Sequence, residues 1–172
     1  MKFFSENLES LRELYVNDLK KMLSMERQIT EALPKMIDKA TDTQLKQAFQ
    51  SHLQETEQHV TRLEEILREC TDDTDSVKCK VLATLVTEAE DAVKDAEDTS
   101  VRDVSLIASA QAVEHHEMAC YGTVRNYARI LGEPSQAEVL QKTLDEEKHA
   151  DHLLTQIAER INPAAERTER AA

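Results

Sequence analysis

Apolar residues recur along this chain at the three-and-four spacing of helices, in stretches too long for strands. From Leu8 a stripe continues through Leu11, Tyr15, Leu19, Met22, Ile29 and Leu33. It predicts a first helix with Ser5 as N-cap and acids in the following turn. Pro34 interrupts the stripe and is expected to kink or end the helix near Leu33. Met36 and Ile37 predict that helix resumes before the Thr41-Asp42-Thr43 turn. A second helix is expected from about Thr43 to Cys70, burying Leu45, Ala48, Phe49, Leu63, Ile66 and Leu67. Thr71 to Ser76 reads as a solvated loop, and Val77 to about Glu97 as a shorter helix within a long crossover. The third long helix runs from about Val101 to Leu131, where Gly132 and Pro134 supply a stop signal. Ser135 is the candidate cap of the fourth, which runs to about Ile161 with Leu140, Leu144, Leu154 and Ala158 inward. After Pro163 the chain reads as a polar, frayed tail.

Charged residues interrupt these apolar stripes at matching depths. At about 100° per residue, Glu114 and Glu117 point with Ile107, Ala110, Tyr121, Val124 and Ala128. Glu26 falls near the centre of the first stripe. His52, Glu55, Thr56 and His59 lie on or beside the buried side of the second helix, and Glu147 and Asp151 project from the inner face of the fourth. By the same phase Glu57, Gln58, Glu146, His149 and His152 point elsewhere. Carboxylates within an oily face are costly unless paired or bound to metal.

Thirty residues separate Glu117 from Glu147 and twenty-nine separate Glu26 from Glu55, each pair spanning one helix–turn–helix hairpin. Two similar hairpins joined by a long crossover define an all-α, ferritin-like up-down four-helix bundle, with an additional short helix in the crossover. Residues 1–163 would form that domain and residues 164–172 the tail.

Composition narrows the chemistry. With two glycines and three prolines in 172 residues, the chain is rich in helix formers. A net charge of −13 argues against nucleic acid and against an anionic membrane face. Cys70, Cys79 and Cys120 are an odd number without metal-type spacing, and read as free thiols in a reducing cytoplasm. The first residues lack the apolar core of a signal peptide, and no run approaches membrane-spanning length.

The candidate metal ligands are therefore Glu26, Glu55, His59, Glu114, Glu117, Glu147 and Asp151. Oxygen-rich sites with one or two imidazoles suit iron or manganese better than zinc, so two Fe or Mn ions are expected, bridged by carboxylates and reacting with peroxide or dioxygen. The usual di-iron pattern of a Glu from two helices and Glu-x-x-His from two others is not met. The second helix offers Glu55-x-x-x-His59 or His52-x-x-Glu55, and the fourth offers Glu147-x-x-x-Asp151. Which of His52, His59, His115 or His149 is a ligand stays open. His115 reads as a donor behind the ligands or a surface histidine, and His116, His149 and His152 as solvent-facing. Tyr15 and Tyr121 read as core residues with bonded hydroxyls. Against the metal stands a metal-free cluster of Glu–His and Glu–Arg bonds, with Arg62 and Arg125 as partners, in a helical dimer that acts as an interaction protein. A third reading is iron sequestration in a cage, for which no fifth C-terminal helix is evident.

Several segments together carry a resemblance: Leu14-Tyr15, Ala32-Leu33-Pro34-Lys35-Met36, His52-Leu53-Gln54-Glu55-Thr56, Arg62-Leu63-Glu64, Val113-Glu114-His115-His116-Glu117 with Tyr121-Gly122, and Thr143-Leu144-Asp145-Glu146-Glu147 with Asp151. The chain resembles, over nearly its whole length, the YciE/YciF family of bacterial ferritin-like stress proteins. That resemblance implies a bundle related to rubrerythrins, a homodimer, expression linked to general or osmotic stress, and a site that includes both Glu114 and Glu117.

Overall fold

Helix α1, Leu11–Lys39, opens on a reciprocal cap. The Ser10 hydroxyl accepts from the Glu13 amide at 3.2 Å, and the Glu13 carboxylate accepts from the Ser10 amide at 3.0 Å. The computed structural model describes residues 8–169, so Ser5 lies outside the described residues. Of the two expectations for Pro34, an end to the helix is not met: α1 runs through it to Lys39, with Met36 and Ile37 helical as expected. The Pro34 ring is exposed, while Leu33 before it and Ala40 beyond the helix end are buried. Apolar anchoring on both sides offsets the one helical bond that proline removes.

Helix α2, Thr43–Cys70, starts on Asp42, whose carboxylate accepts from the amides of Gln44 and Leu45 at 3.0 Å each. Helix α3, Lys80–Asp95, lies in the crossover. Helix α4, Thr99–Ile130, is capped by Asp98. Its C-terminus closes with Gly132 at φ +77°, the Glu133 amide reaching the Ala128 carbonyl at 2.9 Å and the Gly132 amide reaching Arg129 at 3.3 Å.

Helix α5, Pro134–Glu169, begins with proline in its first turn, where a missing N–H costs nothing, so Ser135 sits inside the helix rather than capping it. The helix also continues through Pro163, so the frayed tail expected from residue 164 is helical to Glu169. Pro163 is exposed, whereas Ile161 and Ala165 on either side are buried. Burial on both sides again outweighs the proline's local cost.

Among the described residues there are five helices and no strand. The α1–α2 and α4–α5 hairpins face each other, α1 meeting α4 and α2 meeting α5, while α3 covers α1 and α4. The hairpin loop between α1 and α2 is tied to α4 by buried Asp103. Its carboxylate accepts from the Thr41 amide at 2.8 Å, the Thr41 hydroxyl at 2.6 Å and the Asp42 amide at 2.8 Å. The core is built from Leu, Ile and Met with two fully buried tyrosines, Tyr15 and Tyr121. Tyr15 donates its hydroxyl to Gln136 at 2.9 Å, across 121 residues of sequence. No helix among the described residues is long and apolar enough to cross a membrane. Cys70, Cys79 and Cys120 are all free thiols.

Candidate metal centre

Midway along the bundle, six titratable side chains from four helices meet in the core. Glu26 comes from α1, His52 and His59 from α2, Glu114 and Glu117 from α4, and Glu147 from α5. Each long helix turns an apolar face inward, and these residues occupy positions on those faces. All six are buried, with Glu26, His59, Glu117 and Glu147 at 0% exposure.

They form two overlapping groups. His52, Glu114, Glu117 and Glu147 each offer a ligand atom, all within 4.8 Å of one another. Glu26, His59 and Glu147 form the second group by the same measure, so Glu147 belongs to both. Within the first group, His52 Nε2 lies 3.3 Å from Glu114 Oε1. Within the second, His59 Nδ1 lies 3.0 Å from Glu147 Oε1 and 3.7 Å from Glu26 Oε2.

These approaches lack hydrogen-bond alignment. Among the described residues, eleven buried side-chain nitrogen and oxygen atoms have no hydrogen-bond partner, and nine belong to these six residues. Buried polar atoms are nearly always satisfied, so such a concentration marks these atoms as candidate metal donors. An all-oxygen-and-nitrogen donor set fits hard or borderline cations such as iron and manganese.

Burial has a second effect. It raises the carboxyl pKa of Glu114 to about 8, moves Glu117 well above the ordinary range, and raises Glu26 in spite of His59. Burial also works against protonation of the imidazoles, but neighbouring carboxylates overcome it. His52 rises to about 9 through Glu114 and Glu55, and His59 to about 10 through Glu147 and Glu26. With no cation present, protons gather here.

An outer ring of polar residues orients the inner one. His59 Nε2 lies 3.0 Å from Glu146 Oε2, so an Nε2–H donating there leaves the Nδ1 lone pair facing Glu26 and Glu147. Glu146 is in turn held by Arg62, through a short contact from Nη1 and a 3.2 Å bond from Nη2, and Arg62 also donates to Thr143 at 3.0 Å. Burial opposes ionisation of Glu146, yet Arg62 lowers its pKa overall. On the other side, Glu55 Oε2 stands 3.8 Å from His52 Nδ1, an ion-pair distance too long for a hydrogen bond. The Tyr121 hydroxyl donates to Glu26 Oε1 in a short bond, and the tyrosine edge meets the His59 ring at 6.2 Å.

The candidates from sequence are thus divided. Glu26, His59, Glu114, Glu117 and Glu147 come together. Glu55 stands behind His52 with its side chain 35% exposed. Asp151 stands apart, 3.3 Å from the exposed His115 and 3.2 Å from Gln111, because it lies off the Glu147 direction toward α4. His52, one of four histidines left open, is inside the cluster. Glu146, expected to point elsewhere, reaches back to His59 from the edge of its face. His116 is half-buried between Cys79 and Cys120, at 3.8 Å from each sulfur, rather than solvent-facing. His149 and His152 are exposed. Arg125 donates to Gln141 at 2.6 Å and holds none of the six acids and imidazoles.

A bundle with a carboxylate–imidazole cluster at its centre defines a helical protein of the kind that builds sites from facing helices. The chain belongs to the DUF892 family, a domain of unknown function whose family model matches residues 10–166. It is 36% identical to Protein YciF of Escherichia coli over 162 residues, covering 93% of this chain and 98% of that one. The solved structure of the E. coli stress protein YciF matches with a TM-score of 0.86 at 34% identity, covering 91% of this chain and 99% of that chain. YcfI from Rhodopseudomonas palustris, described as a candidate structural protein, matches with a TM-score of 0.85 at 37% identity, covering 89% and 98%.

Proposed function

We propose that the six-residue cluster holds a pair of iron or manganese ions, and that the protein reacts with peroxide or dioxygen in a bacterial stress response. The observation that carries this reading is the set of nine unpartnered, buried donor atoms. Four ionised glutamates, Glu26, Glu114, Glu117 and Glu147, match the charge of two divalent cations, which removes the cost of burying them. His52, Glu114 and Glu117 would hold one ion, Glu26 and His59 the other, with Glu147 common to both. Bound there, the ions supply redox chemistry toward small oxidants. The chain's own part is positional. Glu146 and Arg62 set the His59 tautomer, Glu55 faces the outer nitrogen of His52, and the Tyr121 hydroxyl holds Glu26. The apolar faces of the bundle keep bulk water from the cluster. A homodimer in a reducing cytoplasm completes the reading, the latter in keeping with three free thiols. Elemental analysis of protein purified without chelator, followed by anaerobic Fe²⁺ and Mn²⁺ titration, tests it. Two ions per chain are expected, and uptake no greater than that of a Glu114→Ala/Glu147→Ala variant would end it. Sedimentation at twice the 19.5 kDa chain mass separates the dimer from a cage.

One observation favours a second, metal-free reading, that of a stress-induced interaction protein. Raised pKa values at His52, His59, Glu114 and Glu117 let protons, in place of cations, balance the cluster. On that reading Glu114→Ala raises the melting temperature by the same amount with Fe²⁺ as with chelator. On the metal reading the added Fe²⁺ stabilises only the parent.

A further inference from the structure

A cavity of about 490 Å³ opens beside the cluster and shares His52 and Glu114 with it. His52 and Glu114 stand at one end of its lining, and Lys39, Lys94 and Arg102 at the other. On α4 alone the span from Glu114 to Arg102 is about 18 Å at 1.5 Å per residue. Its walls are apolar, among them Leu33, Phe49, Val86, Val93, Leu106 and Leu153. That size lies within the range of small-molecule sites, and the lining spans about three turns of α4, a length that suits an extended chain.

The mouth is charged against the trend of the molecule. On a chain of net charge −13, four cations (Lys35, Lys39, Lys94 and Arg102) line this one cavity. Lys35 is taken up by Glu90 at 2.8 Å. Arg102 donates only to the carbonyls of Ala96 and Glu97, Lys39 stands 4.0 Å from Asp38, and Lys94 has no ion pair among the described residues. Three cations thus keep charge to offer at the mouth of an apolar cavity. Water is a poor occupant of walls with so few polar partners.

We infer that this cavity binds one long-chain amphiphile with an anionic head, of the fatty-acid type. The carboxylate sits among Lys39, Lys94 and Arg102, and the chain lies along Leu33, Phe49 and Leu106 toward His52 and Glu114. The site needs no metal to form, so it goes beyond the reading of the cluster and stands or falls separately. With ions in place, it would bring an acyl chain to the edge of the metal centre.

Calorimetric titration of chelator-treated protein with hexanoate, decanoate, laurate and dodecanol tests the inference. Laurate is expected to bind one per chain, with affinity falling about fourfold for each methylene removed. Lys39→Glu/Lys94→Glu, both at exposed positions, should weaken laurate about tenfold and leave dodecanol unchanged. Ala89→Trp, at a half-buried wall position, should abolish binding of both. Should Ala89→Trp fail to fold, a laurate diazirine probe must label α3 and α4 peptides in the parent protein. Absence of binding, binding indifferent to Ala89→Trp or to charge reversal, labelling elsewhere, or a dimer interface that covers the mouth and excludes laurate would each overturn the inference. Failure of laurate with Fe²⁺ uptake intact removes this site alone, and laurate binding without Fe²⁺ uptake removes the metal reading alone.

Discussion

Glu146→Gln isolates the outer ring from the donor atoms. The parent carboxylate accepts from His59 Nε2 at 3.0 Å and receives both terminal nitrogens of Arg62. Glutamine keeps the shape but loses the charge and puts an NH₂ donor where one acceptor oxygen faced Arg62, so its hold on His59 and Arg62 weakens. His59 is then free to turn or to carry its proton on Nδ1, the atom 3.0 Å from Glu147. Changes behind a ligating histidine cost about 10–100-fold in metal affinity, or about 1.4–2.7 kcal/mol. Without metal the variant loses a charge-assisted pair whose side chains are 14% and 25% exposed. Arg62 retains Thr143 at 3.0 Å, so the loss should stay near 1–2 kcal/mol, roughly 2–6 °C in a chain of this length. Anaerobic Fe²⁺ calorimetry reads the first number, and circular dichroism melting in chelator reads the second. Lys148→Ala, which breaks an exposed pair with Asp145 on the same helix, serves as control and should change neither. If Glu146→Gln binds Fe²⁺ within twofold of the parent while the parent takes up two ions, the assignment of Glu146 as the residue that orients His59 is refuted.

Other expectations follow from single features. Both oxygens of Glu117 are buried without partners and burial holds its pKa well up, so Glu117→Gln should raise the melting temperature in chelator by a few degrees and weaken Fe²⁺ uptake; a lower melting temperature would contradict the unsatisfied-donor account. Asp42 has its pKa lowered by Arg160, which lies 2.8 Å from each oxygen, and by the α2 amides it caps. The associated stability is present above the unfolded carboxyl pKa and is lost as pH falls through the lower folded value. Urea midpoints from pH 5 down to pH 2 should therefore decline less in Asp42→Asn than in the parent, and parallel declines would argue against this linkage. At Gly132, a Cβ meets nothing within 4 Å but the φ of +77° remains, so Gly132→Ala should cost about 1–2 kcal/mol in urea unfolding; a neutral outcome would mean that the turn relaxes.

The chain by itself determined the helices and the chemistry of their inner faces. The α2 limits from Thr43 to Cys70 were legible because apolar periodicity, the Thr41-Asp42-Thr43 turn and the acidic loop all agree there. The carboxylates of Glu26, Glu114, Glu117 and Glu147 stood out for a similar reason: charge on an oily stripe is conspicuous at helical spacing. Read as a helix stop, proline was misleading at positions 34 and 163, because its cost is local while the burial that overrides it comes from other helices. The depth at which acids meet was decided only by packing. Helical phase gives a direction around an axis but not the height at which two axes cross. Hence His52 enters the cluster, Asp151 turns to His115, and Glu146, three rotatable bonds from its backbone, reaches an imidazole on α2 that no sequence spacing connects to it.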